Sequence, residues 1–174
     1  SAETGAPVYA FGPSSAGRSA AMQALAASNT LNAGEGVDHD FQPDHKVADG
    51  DTILGDWGSI RALHTPGHMA NHLSFGWNDV LFCGDHVMGW STSLISPPDG
   101  DLTAFMQSCE KLRDYGDRVF YPAHGAPILA PEARLAWLVA HRNAREDQIL
   151  NALGMGQMNA EQLARHVYTD VDPR

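Results

Sequence analysis

The chain has 174 residues, of which 43% are hydrophobic and 18% charged, the composition of a soluble globular protein with room for one domain and the start of a second. Its formal net charge of −10 argues against nucleic-acid binding, because bulk electrostatics repel polyanions. No segment has the roughly 20 apolar residues of a transmembrane helix, and residues 1–5 lack the basic and apolar regions of a secretory signal. The two cysteines indicate no disulfide framework, so we expect a cytoplasmic protein.

The first half of the chain predicts one helix and several short strands. Residues 7–11 predict a strand, and the Ala-rich stretch from Ser14 or Ser15 to Ala27 predicts a helix with a serine cap. Residues 28–50 are rich in Asn, Gly, Asp and Pro and predict a loop. Apolar alternation then predicts strands at 51–54, 59–64, 72–77 and 80–83, the last two joined by a tight turn at Asn78-Asp79.

The second half is dominated by predicted helices. Helical spacing runs from Asp101, a candidate cap, to about Tyr115, and a last short strand is predicted at 118–121. Pro131 fits the first turn of a long helix that stops at Gly154, and Asn159 fits the cap of a final helix, 160–167. Strands followed by helices predict a mixed α/β layered domain that ends in a helical pair.

Three segments that follow predicted strands turn sharply at Gly or Pro and present a histidine or an aspartate. They are residues 64–68 (HTPGH), 83–86 (CGDH) and 121–125 (YPAHG). If the three strand ends lie at one edge of a sheet, His68, Asp85 and His124 can form a site for a divalent metal, because imidazole and carboxylate are ligands that zinc prefers. Taken singly, each residue is equally consistent with a structural hydrogen bond or a turn. Spacing alone therefore leaves metal binding open.

In their order and separation, TPGH (65–68), FCGD (82–85) and YPAHG (121–125) resemble the third, fourth and fifth motifs of the metallo-β-lactamase superfamily. Residues 46–51 resemble the turn before the second sheet of that fold. Residues 141–150 (HRNAREDQIL) resemble a segment of the subgroup that includes lactamase-beta-like protein 2, which like glyoxalase II contains hydrolases. The resemblance implies an α/β (α+β) fold, the αββα sandwich. Residues 1–139 would be its carboxyl-terminal portion, and residues 140–174 the start of a winged-helix appendage.

The resemblance also implies roles for the three side chains. His68 would ligate one metal ion, His124 a second ion, and Asp85, the catalytic carboxylate, would bridge both. A metal-bridging hydroxide would then attack a small ester, thioester or related substrate. The implied cofactors are two divalent ions, with zinc expected and iron or manganese as alternatives.

One part of the family pattern is missing. Its first metal motif, HxHxDH, supplies the other four ligands, and none of the nine histidines forms it. We therefore expect the sandwich to be incomplete on its amino-terminal side and the chain to be part of a longer protein. By itself, the chain is then expected to bind zinc weakly or not at all.

Two further residues are predicted to contact substrate. Trp90 follows the fourth motif in a loop expected to border the cleft, and His86 follows the bridging aspartate. His72 is expected to support the site through packing or a hydrogen bond, and His64 to be structural.

The leading function is a metal-dependent hydrolase of a small-molecule substrate. One alternative is a metal-dependent nuclease or RNA-processing enzyme, against which the net charge counts. Another is a degenerate, non-catalytic member of the fold.

Overall fold

A computed structural model describes residues 3–28, 30, 37–116 and 119–168. The chain divides into two compact units, residues 1–135 and 136–174. Within the described ranges, no helix has both the length and the apolarity needed to cross a membrane.

The first unit is built around a five-stranded sheet. Its strands are β3 (Thr52–Gly55), β4 (Gly58–His64), β5 (Leu73–Trp77), β6 (Val80–Gly84) and β7 (Val119–Pro122), in that spatial order. The first three pairs are antiparallel, whereas β6 and β7 are parallel. A separate two-stranded parallel sheet pairs β1 (Tyr9–Ala10) with β2 (His45–Lys46).

The predicted strands of the main sheet are confirmed to within a residue or two. Asn78-Asp79 forms the predicted tight turn between β5 and β6, with Asn78 at a φ of 49°, a conformation that asparagine tolerates. Arg118, placed in the last predicted strand, lies outside the described residues. The prediction of an unbroken loop over 28–50 is wrong at β2, whose residues bond to β1 and show no apolar alternation that would identify a strand.

Helix α1 spans Ala20–Ala27, so the predicted start at Ser14 or Ser15 is wrong. The cap is Ser19, whose hydroxyl accepts a hydrogen bond from the N–H of Met22. Gly17 interrupts the Ala-rich stretch with a φ of +83°, and a Cβ there would lie 2.5 Å from the carbonyl oxygen of Ala70. Close packing against Ala70 therefore requires a turn where local propensity favours a helix.

The other helices agree with the sequence. Helix α2 spans Leu102–Arg113 and is capped by Asp101, which accepts a hydrogen bond from the N–H of Ala104. It buries Phe105, Cys109 and Leu112 in the core of the first unit. Helix α3 spans Pro131–Gly154, and α4 spans Ala160–Val167 with the predicted Asn159 cap. The mixed α/β fold class is confirmed.

The second unit, by itself, contains most of α3 together with α4 in its described part. Arg145 joins the two helices within this unit. Its guanidinium donates to the carbonyl of Val167 at 2.6 Å and lies 4.6 Å from the centre of the Tyr168 ring. The interpretation of residues 140–174 as the start of a winged-helix appendage stays a prediction.

The two cysteine thiols are expected to be unreactive in the folded protein. Cys83 and Cys109 are both fully buried, and burial raises the pKa of the Cys83 thiol to about 12. Since the thiolate is the reactive form, a disulfide reagent such as DTNB at pH 8 should label neither thiol until denaturant is added. Stoichiometric labelling of the native protein at the rate of a free thiol would contradict this burial.

Candidate metal centre

The sheet directs three strand ends toward the same edge. Because β4 and β6 are both antiparallel to β5, they run in the same direction, and β7 runs parallel to β6. The segments that carry His68, Asp85 and His124 follow β4, β6 and β7, respectively. All three segments therefore leave the sheet at one edge.

Asp85 and His124 lie next to each other at this edge. Asp85 Oδ1 is 3.6 Å from His124 Nε2, which is longer than a good hydrogen bond. Within the described part of the chain, this oxygen is buried and has no hydrogen-bond partner. The Asp85 side chain as a whole is 36% exposed, so the unsatisfied group is this one oxygen, which a bound cation would compensate.

The distance and chemistry of this pair fit a shared metal ion. Two ligands at about 2.1 Å from a tetrahedral ion lie about 3.4 Å apart, close to the separation of Asp85 Oδ1 and His124 Nε2. Carboxylate oxygen and imidazole nitrogen are also donors that zinc accepts. The residues present therefore fit a divalent ion.

His68 has a defined ring orientation. Its Nδ1 lies 2.6 Å from the carbonyl oxygen of Leu94, and because a carbonyl only accepts, Nδ1 carries the proton. In the neutral ring, Nε2 then keeps its lone pair for a metal. A hydrogen bond from the other ring nitrogen to a backbone carbonyl is the usual support of a metal-ligating histidine.

The turn before His68 is packed tightly against helix α2. Gly67 has a φ of +148°, and a Cβ at this position would lie 2.4 Å from the Cα of Phe105. The N–H of Asp101 donates a hydrogen bond to the carbonyl of Gly67 at 2.9 Å. The hydroxyl of Ser108 donates a hydrogen bond to the carbonyl of Pro66 at 2.7 Å. The start of α2 therefore fixes the backbone that presents His68.

His72 has the supporting position predicted for it. Its Nδ1 lies 2.9 Å from the hydroxyl of Thr65, and its Nε2 would be 2.6 Å from a Cβ at Gly84. The pKa of His72 is lowered to about 4, chiefly by burial. The neighbouring His68 contributes to the lowering, and the Asp85 carboxylate opposes it. The ring is therefore neutral at pH 7 and lies near both the His68 and the Asp85 segments.

His86 does not have the position expected of a substrate-binding residue. Its side chain is fully buried, and its ring centre lies 4.6 Å from that of Phe105. Burial lowers the pKa of His86 well below its ordinary value. The prediction that it contacts substrate is therefore corrected: among the described residues it is a core side chain. His64 is structural as predicted, since Nε2 lies 2.8 Å from the Ala70 carbonyl oxygen and its ring stacks on Phe11.

Trp90 lies beside the His124 turn. Its side chain is 72% exposed, and a Cβ at Gly125 would lie 2.9 Å from Trp90 Cδ1. This position is compatible with substrate contact, which stays a prediction.

Two residues with a part in the site were not predicted from the sequence. Arg134 donates through Nε to the carbonyl of Met88 at 2.7 Å and through Nη2 to the carbonyl of Ser91, on either side of Trp90. Leu94 contributes its backbone carbonyl to His68. Neither residue type carried a signal, because any residue has a carbonyl and an arginine in a helix is usually a surface charge.

Over the described ranges, no three His, Cys, Asp or Glu side chains converge on a single metal position. The prediction from the sequence that His68, Asp85 and His124 together form a metal site stays a prediction. The structure brings Asp85 and His124 together. The segment that carries His68 leaves the sheet at the same edge.

Sequence comparison gives one family match. The model described as "Metallo-beta-lactamase superfamily" matches residues 7–124. The chain is 34% identical over 107 residues to a beta-lactamase-like protein 2 homolog of Drosophila melanogaster, which covers 61% of this chain and 35% of that protein. It is 32% identical over 143 residues to an atrochrysone carboxyl ACP thioesterase of Aspergillus chevalieri, which covers 75% of this chain and 45% of that protein. The chain thus spans less than half the length of either relative.

Solved structures share the fold. A metallo-beta-lactamase family protein from Thermus thermophilus matches 85% of this chain and 52% of its own, with 28% identity and a TM-score of 0.67. A beta-lactamase domain protein from Burkholderia ambifaria matches 75% of this chain and 44% of its own, with 23% identity and a TM-score of 0.67.

Proposed function

Because this chain belongs to the metallo-β-lactamase superfamily, we propose that the whole protein is a metal-dependent hydrolase that cleaves a small ester or thioester. The superfamily generally binds divalent metals. The observation that carries the proposal is the buried, unpartnered Oδ1 of Asp85 beside Nε2 of His124. A carboxylate oxygen and an imidazole nitrogen at this separation favour the binding of a cation by both atoms.

The proposed roles follow the three strand ends. His68, Asp85 and His124 would hold the divalent ions. Zinc fits this donor set, and iron or manganese are the alternatives. When bound, such ions polarise a carbonyl group and make water nucleophilic near neutral pH.

The remaining side chains prepare the site. The Leu94 carbonyl accepts a hydrogen bond from Nδ1 of His68, which would leave Nε2 to face a metal ion, and the neutral His72 adds no positive charge that would compete with that ion. Trp90 borders the His124 turn, where it is proposed to contact the substrate. A cytoplasmic location stays a prediction.

Relatives support the choice of substrate class. The Aspergillus chevalieri protein is named a thioesterase acting on an acyl carrier protein, so an acyl-thioester substrate is proposed for this protein by similarity. The nuclease alternative is less favoured, because the net charge of −10 opposes the approach of a polyanion.

The proposal predicts that hydrolysis depends on bound metal. The purified whole protein should hydrolyse p-nitrophenyl acetate or an S-acyl thioester, lose that activity to the background rate after dialysis against a chelator, and regain it with Zn²⁺. Elemental analysis before and after dialysis supplies the metal content.

Two results would contradict the proposal. One is a rate unchanged after the metal has been removed. The other is activity toward bis-p-nitrophenyl phosphate without activity toward either acyl substrate, which would favour a phosphodiesterase.

A further inference from the structure

Two loops border the candidate metal centre, and they carry almost no charge. We call residues 87–98, which follow Asp85 and His86, the first loop and residues 123–130, which contain His124, the second loop. The first loop has no Asp, Glu, Lys, Arg or His, and the second has only His124. These loops therefore offer a substrate no ion-pair partner other than the proposed metal ligand.

The first loop instead exposes two large apolar side chains. Trp90 and Leu94 are each 72% exposed. Single exposed apolar residues are common on protein surfaces, so exposure alone says little. The position of these two, at the metal ligands on a firmly held backbone, is the informative feature.

Hydrogen bonds fix the backbone on both sides of Trp90. Arg134 donates to the carbonyls of Met88 and Ser91, and the hydroxyl of Ser93 donates to the carbonyl of His86 at 2.9 Å. Two polar side chains thus hold a segment whose apolar side chains face solvent. Such an arrangement presents a fixed surface and limits the conformational freedom lost on binding.

The first loop also reaches both sides of the ligand set. Trp90 packs against Gly125, the residue after His124, while the carbonyl of Leu94 accepts the hydrogen bond from His68. The two residues with exposed side chains therefore contact the segments that carry the two proposed histidine ligands. An apolar group of the substrate that is bound against Trp90 and Leu94 would lie next to the proposed metal centre.

We propose that Trp90 and Leu94 form an apolar recognition surface for a neutral acyl group of the substrate. The inference rests on the proposed hydrolase function and adds the substrate class: esters or thioesters whose acyl portion is apolar and uncharged. Uncharged loops disfavour an anionic substituent, because burying a charge without a partner costs far more than burying an apolar group. The guanidinium of Arg134 already donates to two backbone carbonyls.

Binding can be tested without metal or catalysis. The chain has four tryptophans, so a ¹⁵N-labelled sample gives four indole N–H signals, and the Trp90 signal is identified by its absence from Trp90→Phe. Benzamide serves as the neutral aromatic probe and inorganic phosphate as the anionic one. We expect benzamide to shift the Trp90 signal and leave Trp57 and Trp77 unchanged, because both lie toward the opposite edge of the sheet.

The outcomes of the titration are decisive. Equal shifts of all indole signals, or no shift of Trp90 with benzamide, would overturn the apolar surface. A shift with phosphate but not with benzamide would overturn it in favour of an anionic substrate. None of these outcomes depends on hydrolysis, so the proposed function is judged separately.

Substrate selectivity supplies the second test. In the metal-loaded whole protein, Trp90→Ala should raise KM for p-nitrophenyl octanoate about tenfold more than it raises KM for p-nitrophenyl acetate, as for loss of a hydrophobic contact with the longer acyl chain. Trp57→Ala is the matched control, since Trp57 is half exposed but lies in the β3–β4 turn. An equal rise for both esters, or the same effect in the control, would overturn the proposal. Absence of all hydrolysis in wild type would instead count against the proposed function.

Discussion

Replacing Asp85 with alanine is expected to abolish both metal binding and hydrolysis in the whole protein. Its Oδ1 is buried, lacks a hydrogen-bond partner among the described residues and lies 3.6 Å from Nε2 of His124, so the proposed ions would lose their shared ligand. Removing this oxygen should also relieve an unpaired buried acceptor, so the metal-free protein is expected to remain folded. Elemental analysis, the hydrolysis rate and circular dichroism of the same preparation check the three parts.

Asp79→Ala provides the matched control for this substitution. Asp79 is an exposed aspartate in the β5–β6 turn, at the opposite end of β6 from Asp85. The control should keep wild-type metal content and rate. If Asp85→Ala kept its full metal content, the bridging role would be wrong, even if activity fell.

A methyl group added at Gly67 is expected to destabilise the protein by about 3 kcal/mol, through overpacking combined with a backbone conformation unfavourable to alanine. The added Cβ would lie 2.4 Å from the Cα and 2.8 Å from the N of Phe105, which belong to the rigid backbone of α2. Relief requires the turn before His68 to move away from α2. Urea unfolding of wild type and Gly67→Ala measures the change in the free energy of unfolding.

Gly50→Ala separates the cost of overpacking from the cost of the backbone conformation. Gly50 also has a positive φ, +85°, but a Cβ there would meet nothing within 4 Å. The control should lose only about 1–2 kcal/mol, the cost of the left-handed backbone. Equal losses at the two positions would show that the contact with Phe105 contributes nothing.

Local signals in the sequence predicted most elements of the fold. Alternating apolar residues marked the strands of the main sheet, and Asp101, Pro131 and Asn159 marked the starts of three helices. Helix α1 was misplaced because the Ala-rich stretch as a whole favours a helix, whereas packing of Gly17 against Ala70 requires a turn. Propensity is a weak guide where a distant contact decides the backbone.

Side-chain environments were harder to predict. His86 follows Asp85 in sequence, yet it points into the core, where it packs against Phe105. The contact of Arg18 with Asp99, an ion pair at 2.5 Å, joins residues 81 positions apart and carried no sequence signal. Motif position fixes which residues occupy a turn, but not which of them faces solvent.

The sequence by itself determined the family and the identities of the candidate ligands, because His68, Asp85 and His124 stand in short motifs whose turns depend on neighbouring Gly and Pro. Tertiary structure decided the surroundings of those side chains. It provides the Leu94 carbonyl that orients His68, leaves Oδ1 of Asp85 without a hydrogen-bond partner among the described residues, and places Arg134 where it holds the first loop. Turn chemistry acts over a few residues, whereas a hydrogen bond or a buried charge depends on whatever the whole sheet brings within about 3 Å.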